Sequence, residues 1–177
     1  MINQEQLKEL LHYDPETGIF TWRKRDRKYF KSNHYFNIWN DQFSGKKTGS
    51  MNGGGYLRTS VLGRRYKTHR LAFLYMTGEF PPDHTDHING IRDDNRWVNL
   101  RAVSHAENGK NQRLKSNNNS GFNGVFWRED TRKWRVFISV NGKRKHLGQF
   151  IDKFEAVCCR KAAEIRYKYH PNHGIKF

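Results

Sequence analysis

The strongest constraint on the fold lies in the last third of the chain, where a two-residue turn separates two strand-like runs. Asn141-Gly142 joins Lys133 to Val140 with Lys143 to Phe150, and an Asn-Gly pair in this position predicts a tight antiparallel hairpin. A further strand-like run, Gly124 to Arg128, precedes the hairpin, and a helical pattern follows from about Asp152 to Tyr169. These segments predict a small α+β domain in which three antiparallel strands pack on one helix.

Alternation along the strands divides this predicted sheet into two faces. The face toward the helix is expected to hold Val125, Trp127, Trp134, Val136, Ile138 and Leu147, against a helix stripe of Phe154, Cys158, Ala162 and Ile165. The opposite face is basic and aromatic and holds Phe126, Arg128, Arg135, Phe137, Ser139, Arg144 and His146. A charged sheet face is usually just solvated, but a sheet can also enter the major groove of DNA, where arginine contacts guanine.

The charge of the chain indicates a polyanionic partner. In 177 residues, 33 Lys and Arg stand against 17 Asp and Glu, which gives a formal net charge of +16. Residues 1–115 hold 20 basic and 12 acidic residues and residues 116–177 hold 13 and 5, so each part is net +8. Two basic surfaces that follow one phosphate backbone would give this distribution. The alternatives are that the partner is an acidic membrane face, or that the charge only keeps the protein soluble.

The sequence also limits where the protein is expected to act. No stretch approaches the ~18 apolar residues of a membrane-spanning helix, and the N-terminus lacks a secretory signal pattern. We therefore expect a soluble intracellular protein without a membrane partner. The two cysteines, Cys158 and Cys159, are adjacent in a helical pattern, and their number and spacing exclude a four-cysteine structural zinc site.

The first half of the chain predicts short elements around a polar segment. A helix over Gln4 to Leu11 and a turn at Asp14-Pro15-Glu16-Thr17-Gly18 precede a strand at Ile19 to Trp22. Residues 23–52 are basic, aromatic and irregular, and receive no assignment. Further on we predict a hairpin of Tyr56 to Leu62 with Arg65 to His69, a helix over Leu71 to Met76 and a strand at Leu100 to Val103.

The densest polar segment, Asp83 to Asn99, lies just before that last strand. Ser104-His105-Ala106-Glu107 follows the strand and has the spacing of a capping box, which predicts a helix that begins after Ser104. Residues 116–121 are polar and of low complexity, and we interpret them as a linker.

Four short motifs in and after the polar segment resemble the HNH, or ββα-metal, nuclease family. They are Asp86-His87-Ile88-Asn89-Gly90, Asp94-Asn95-Arg96, Asn99-Leu100-Arg101 and Ala106-Glu107-Asn108. The separations of 12 residues from His87 to Asn99 and 9 from Asn99 to Asn108 are similar to those of phage and intron-borne homing endonucleases in which asparagine replaces the final histidine. Asp14 to Gly18, His69-Arg70-Leu71-Ala72 and the C-terminal unit also look like such proteins.

The resemblance implies one catalytic divalent cation, Mg²⁺ or Mn²⁺, bound by the Asp86 carboxylate and the Asn108 amide oxygen. It further implies that His87 is the general base that activates water, and that Asn99 holds the loop together and orients this histidine. Hard oxygen ligands suit these ions better than zinc, and an imidazole that is neutral near pH 7 suits a base.

Other polar residues of this segment have less defined roles. His69 is open to a structural or a phosphate-side role, and Asn95 and Arg96 to bracing the loop or contacting phosphate. Asp83, Asp93 and Asp94 are interpreted as turn or cap residues rather than as further ligands.

The C-terminal segments resemble the AP2 family of DNA-binding domains. The similar stretches are Ser120-Gly121-Phe122-Asn123-Gly124-Val125, Lys133-Trp134, Lys145-His146-Leu147-Gly148-Gln149-Phe150, Glu155-Ala156 and Ala162-Ala163. The resemblance implies that the sheet lies in the major groove of double-stranded DNA, with contacts from Arg128, Arg135, Phe137, Arg144 and His146. Phe126 and Ser139 stand where the plant-type pattern has arginine, so base specificity does not carry over.

The predicted organisation is an elongated multi-domain α+β chain. It comprises an N-terminal accessory region (residues 1–52), a central ββα-metal nuclease domain (53–115), the linker (116–121) and the AP2-like domain (122–177). We expect site-preferring hydrolysis of DNA phosphodiester bonds in the cytoplasm of a bacterial host cell, by a monomer or weak dimer with no obligate protein partner. A monomer should nick, and a double-strand cut would need a dimer or a second encounter. The alternatives are a non-catalytic DNA-binding protein with a degenerate HNH unit and, less favoured, an RNA-binding or RNA-cutting protein.

Overall fold

A computed structural model describes residues 1–112, 114–115 and 117–175, with the backbone alone at 105 and 106. The chain divides into two compact units, Met1–Ala102 and Val103–Phe177. The domain limits expected from the sequence stay predictions, and residue 116, the first of the predicted linker, lies outside the described residues.

The first unit is built from short helices and small antiparallel sheets. Its elements are α1 (Gln4–Leu10), β1 (Leu11–Asp14), β2 (Ile19–Trp22), a 3-10 helix (Arg27–Tyr29), α2 (Asn33–Phe43), β3 (Lys47–Thr48), β4 (Ser50–Met51), β5 (Leu57–Val61), β6 (Arg64–Lys67), α3 (Thr68–Thr77), β7 (His84–His87), a second 3-10 helix (Trp97–Asn99) and β8 (Leu100–Val103). The sheets have the orders β1-β2-β3, β4-β5-β6 and β7-β8. The predicted hairpin is confirmed, but its second strand ends at Lys67, before the predicted limit at His69, and the helix begins at Thr68 rather than at Leu71.

One hydrophobic core joins the predicted accessory region to the predicted nuclease region. Leu7, Leu10 and Tyr13 from the N-terminal helix and strand pack in the same cluster as Leu71 and Leu74 of α3. Leu7 and Leu10 are fully buried on one face of α1, as the sequence predicts. The N-terminal segment is therefore an integral part of the unit that holds the polar segment.

Residues 23–52, which the sequence left unassigned, contain a regular helix. The Ser32 hydroxyl caps α2 by accepting a hydrogen bond from Tyr35 N, and the aromatic rings of Phe36, Trp39 and Phe43 follow on one side of the helix. The Trp39 ring meets Trp22 of β2 edge-on at 5.3 Å. This contact packs the helix against the β1-β2-β3 sheet.

The second unit contains α4 (His105–Gly109), β9 (Val125–Arg128), β10 (Lys133–Val140), β11 (Lys143–Phe150) and α5 (Lys153–Arg166). The predicted capping box is present, because Ser104 Oγ accepts from Glu107 N and Glu107 Oε2 accepts from Ser104 N. The three-stranded antiparallel sheet is confirmed in the order β11-β10-β9. Asn141 and Gly142 have φ of 52° and 76°, as a two-residue hairpin turn requires.

The prediction of which side of α5 packs on the sheet is wrong. Phe154 is 74% and Ile165 81% exposed, and Cys158 and Ala162 are exposed as well. Ala156, Cys159, Arg160, Ala163 and Glu164 lie toward the sheet instead.

A buried ion pair explains this error. Arg160 Nε donates to Glu164 Oε1 at 2.9 Å, and Arg160 Nη1 donates to the carbonyl oxygen of Phe137 at 2.5 Å, where β10 shifts register. Because the buried side of α5 holds this charged pair, apolar periodicity predicts the wrong side of the helix. Trp127, which was expected to face the helix, is also 40% exposed.

Among the described residues, no helix is both long enough and apolar enough to cross a membrane.

Candidate active site

His87 is held in one orientation at the end of β7. Its side chain is buried, with 4% exposure, and its Nε2 lies 3.2 Å from Oδ1 of Asn95. Because an amide oxygen only accepts, Nε2 carries the imidazole proton and donates it.

Burial lowers the pKa of His87, while the Asn95 hydrogen bond and the negative charge of Asp86 oppose that shift. A histidine with a pKa below 6.5 is neutral at pH 7, as a general base must be.

The N-terminal hairpin fixes the position of Asn95. The Tyr13 hydroxyl donates to the carbonyl oxygen of Asn95 at 2.7 Å, and Trp97 N donates to the carbonyl oxygen of Pro15 at 2.9 Å. Gly18, with φ of 72°, lies so close that a Cβ would stand 2.4 Å from the backbone of Asn95. Only glycine fits there, which gives the Asp14-to-Gly18 turn a direct part in shaping the site.

Two further aromatic side chains surround His87. The His69 and His87 rings meet edge-on at 5.0 Å, and Tyr56 packs on both, at 5.4 and 6.0 Å. Desolvation by burial lowers the pKa of His69 to about 3, with a further contribution from His87. His69 is thus a neutral wall of the site, which the sequence motif alone did not establish.

Asp86 forms an ion pair with Arg101 across the β7-β8 sheet. Arg101 donates from Nε at 3.0 Å and from Nη2 at 2.7 Å to Oδ2 of the carboxylate, and Asp86 is 8% exposed. Arg101 lies in one of the sequence motifs, but its spacing from Asp86 did not predict this contact.

Asn99 closes the loop between the two strands. Its Oδ1 accepts from Asn89 N at 2.9 Å, and its Nδ2 donates to the carbonyl oxygen of Asp94 at 2.8 Å. The Asp94 carboxylate in turn accepts from Asn89 Nδ2 and from the Arg96 guanidinium. Arg96 and Asp94 therefore brace the loop, and the side chain directly bonded to His87 is that of Asn95.

Asn108 lies in α4 of the second unit, where its backbone N donates to the carbonyl oxygen of Ser104 at 3.0 Å. Its function as a metal ligand stays a prediction.

The outer face of the C-terminal sheet has the predicted basic and aromatic character. The Arg144 guanidinium lies 3.9 Å from the centre of the Phe137 ring, and the Arg135 guanidinium lies 5.7 Å from it. His146 packs on the same ring at 5.1 Å. Arg128 differs from these residues, because its Nε donates to Asp130 Oδ1 at 2.9 Å.

Comparison with protein families adds an independent observation. Residues 66–110 match the family model described as HNH endonuclease. The match runs from β6 to the turn after α4 and includes His69, Asp86, His87, Asn99 and Asn108. It supports an HNH nuclease, a hydrolase whose substrate is DNA. Neither the curated proteins nor the solved structures gave a match.

An HNH nuclease implies a divalent metal ion, and the donors present limit its type. The described residues form no group of three or more His, Cys, Asp and Glu side chains that could enclose a metal. One carboxylate beside a buried neutral imidazole instead fits a hard cation that keeps several waters, such as Mg²⁺. Arg101 already occupies Oδ2 of this carboxylate.

Proposed function

We propose that the protein is an endonuclease that hydrolyses DNA phosphodiester bonds with one divalent metal ion, with His87 as the general base. The observation that supports this most is the His87–Asn95 contact inside the HNH match. It places a buried imidazole, neutral at pH 7, with its proton fixed on Nε2. Burial lowers the pKa of His69 as well, so the feature that distinguishes His87 is the neighbouring Asp86 carboxylate inside the HNH match.

In the proposed reaction His87 takes the proton of the attacking water on Nδ1, while Asn95 keeps hold of Nε2–H. The hydroxide formed in this way attacks phosphorus, and the 3′ oxygen leaves. Burial among Tyr56, His69 and Asn95 restricts the ring to the orientation in which it can accept this proton. Asn99 acts one step further away, through the loop that holds Asn95.

Asp86 and Asn108 would hold the divalent metal ion. When bound, a hard cation such as Mg²⁺ or Mn²⁺ stabilises negative charge at the leaving oxygen. Arg101 neutralises Asp86 before the ion arrives, which keeps a nearly buried carboxylate from standing alone.

The C-terminal unit is proposed to be an AP2-like reader of double-stranded DNA. Support comes from the stacked Arg135, Phe137, Arg144 and His146 side chains on a sheet face that can enter the major groove. Stacking on Phe137 limits the rotamers of both arginines. Arg128 is the weakest of the proposed contacts, because Asp130 already pairs with it.

Several finer features belong to the same proposal. One catalytic site cuts one strand in an encounter, so a monomer is expected to nick, and a double-strand cut would need a dimer or a second encounter. A homing-type, site-preferring activity of phage or mobile-element origin, in the bacterial cytoplasm, follows from the motif resemblance.

A second candidate function is that of a DNA-binding protein with a degenerate nuclease unit. The Asp86–Arg101 ion pair favours it, since a guanidinium stands where a cation is expected to bind.

Supercoiled plasmid distinguishes the two functions. Relaxation that requires Mg²⁺ or Mn²⁺ and stops in excess EDTA supports the nuclease. Binding without any relaxation, over a range of both ions, supports the alternative.

A further inference from the structure

Arg25 lies over the Trp39 ring and against Trp22, in the part of the chain that the nuclease function does not use. Its guanidinium carbon lies 4.5 Å from the centre of the Trp22 ring and 3.8 Å from that of Trp39. Contacts this short with two rings hold the guanidinium plane in a defined position. Such a position is the preorganised state in which arginine binds a planar or tetrahedral anion with little loss of side-chain entropy.

The backbone of Arg25 is fixed as firmly as its side chain. Asn40 of α2, which is 8% exposed, accepts from Arg25 N at 2.8 Å and donates to the Arg25 carbonyl oxygen at 3.2 Å. Because the buried Asn40 bonds both backbone groups of Arg25, the Arg25 backbone is held in one position. The segment therefore presents Arg25 from a rigid support.

The Arg25 guanidinium has no acidic partner among the described residues. Its Nε is buried and without a hydrogen bond, while the two terminal nitrogens are not among the buried unpartnered atoms. Burial lowers the pKa of Arg25, which shows that the indoles remove water from the cation and that no carboxylate compensates. An anionic group would supply this missing compensation.

Further cations surround Arg25. Residues 23–47 contain eight Lys and Arg against two Asp and no Glu. The pairing of β2 with β3 sets Lys47 opposite Thr21, and Trp22 N donates to the carbonyl oxygen of Lys46. The exposed cations of this segment that form no ion pair with a described residue are Arg23, Lys24, Arg27, Lys31, Lys46 and Lys47.

We propose that this basic surface, residues 23–47, binds the phosphodiester backbone of double-stranded DNA, with Arg25 as its anchor. The choice of DNA over other polyanions rests on the proposed nuclease function. The chemistry is that of phosphate: the free edge of a stacked guanidinium donates to phosphate oxygens, and the surrounding lysines neutralise neighbouring phosphates. The surface would add contacts beyond those of the catalytic and C-terminal parts.

Three substitutions test the surface without touching its aromatic support. The full chain with Arg23→Ala, Lys46→Ala and Lys47→Ala is compared with wild type for binding to a labelled duplex in excess EDTA, over a series of salt concentrations. Binding should weaken, and the slope of log K against log salt should become shallower by about 2 to 3, since each lost phosphate contact removes about 0.9. Arg25→Gln, made separately, should weaken binding more than Lys24→Ala, which removes one exposed positive charge, and Arg25→Lys should not restore binding.

Matched controls separate this result from general effects. Lys28→Ala removes a cation that already pairs with Glu9 at 2.5 Å, so it should leave the salt slope unchanged. Thermal unfolding midpoints near wild type show that the variants fold. Wild-type affinity and slope in the triple variant would overturn the proposal.

The design distinguishes this surface from the nuclease function. Weaker binding by the triple variant supports the surface even if the wild-type protein does not cut DNA. A wild-type protein that cuts, with a triple variant that binds normally, overturns the surface alone. Loss of duplex RNA binding with unchanged DNA binding would also overturn it, because the ligand would then be RNA.

Discussion

Arg101 donates two hydrogen bonds to a single oxygen of Asp86, at 3.0 and 2.7 Å, across the β7-β8 sheet. The carboxylate that is proposed to bind the metal ion is therefore neutralised by a neighbouring strand. The pair gives a charged partner to a carboxylate that is only 8% exposed. If Asp86 binds the metal ion as proposed, the ion has to compete with this guanidinium.

Arg101→Gln should lower the Mg²⁺ concentration that gives half-maximal cleavage, because the ion no longer competes with a guanidinium. One unit charge at about 4 Å corresponds to ~1 kcal/mol, a severalfold change, where water screens the pair fully, and to ~4 kcal/mol at an effective dielectric of about 20. The change should therefore be at least severalfold. A titration of the cleavage rate against Mg²⁺ measures the half-maximal concentration for both proteins. A higher requirement for Mg²⁺ would show that Arg101 assists the ion rather than competes with it.

Asn95→Leu should reduce the cleavage rate by roughly 10- to 100-fold, the range observed when a supporting hydrogen bond to a catalytic histidine is removed. Duplex binding in excess EDTA should stay near wild type, because Asn95 is 1% exposed and cannot contact DNA directly. The same variant should shift the acidic limb of the pH–rate profile to lower pH, since the lost hydrogen bond raises the pKa of His87 in the wild type. An unshifted limb would argue against this positioning role.

The wild-type protein should remain active below pH 6.5. A general base works in its unprotonated form, and burial lowers the pKa of His87 from the ordinary value of 6.5. The acidic limb therefore lies below 6.5, and the rate falls only as pH drops through the lowered pKa. An acidic limb at or above pH 6.5 in single-turnover measurements would contradict this assignment.

His69 should make the protein less stable in acid. Its pKa is about 3 when folded and 6.5 when unfolded, so below pH 6.5 the unfolded chain takes up a proton that the folded chain excludes. The free energy of unfolding should fall by up to about 1.4 kcal/mol per pH unit from this residue, down to about pH 3. Chemical denaturation should show a shallower fall for His69→Leu, and an identical pH dependence would contradict the folded-state pKa.

The sequence predicted the fold best where local signals decide it. Asn141-Gly142 sets the hairpin register by turn geometry alone, and Ser104 with Glu107 sets the start of α4 through backbone capping. The α2 helix was missed, although Ser32 followed by Phe36, Trp39 and Phe43 is a cap before an apolar face. The inner face of α5 was predicted wrongly because Arg160 and Glu164 are buried as a pair.

Motif spacing selected the residues of the candidate site, whose roles stay predictions, but did not predict their contacts. Asp86, His87 and Asn99 were selected from motif spacing, and the HNH match covers all three. The bond from Asn95 to His87 and the pair between Arg101 and Asp86 depend on how a loop folds back and on which strands align. Neither has a fixed spacing in sequence, so both needed the structure.

Cleavage by His87→Ala tests the central claim most directly. With Mg²⁺ present, relaxation of supercoiled plasmid should slow by about 10² to 10⁴-fold, the usual contribution of a general base. Duplex affinity in excess EDTA should remain that of the wild type, because His87 is 4% exposed. Cleavage at the wild-type rate by this variant would contradict the assignment of His87 as the base.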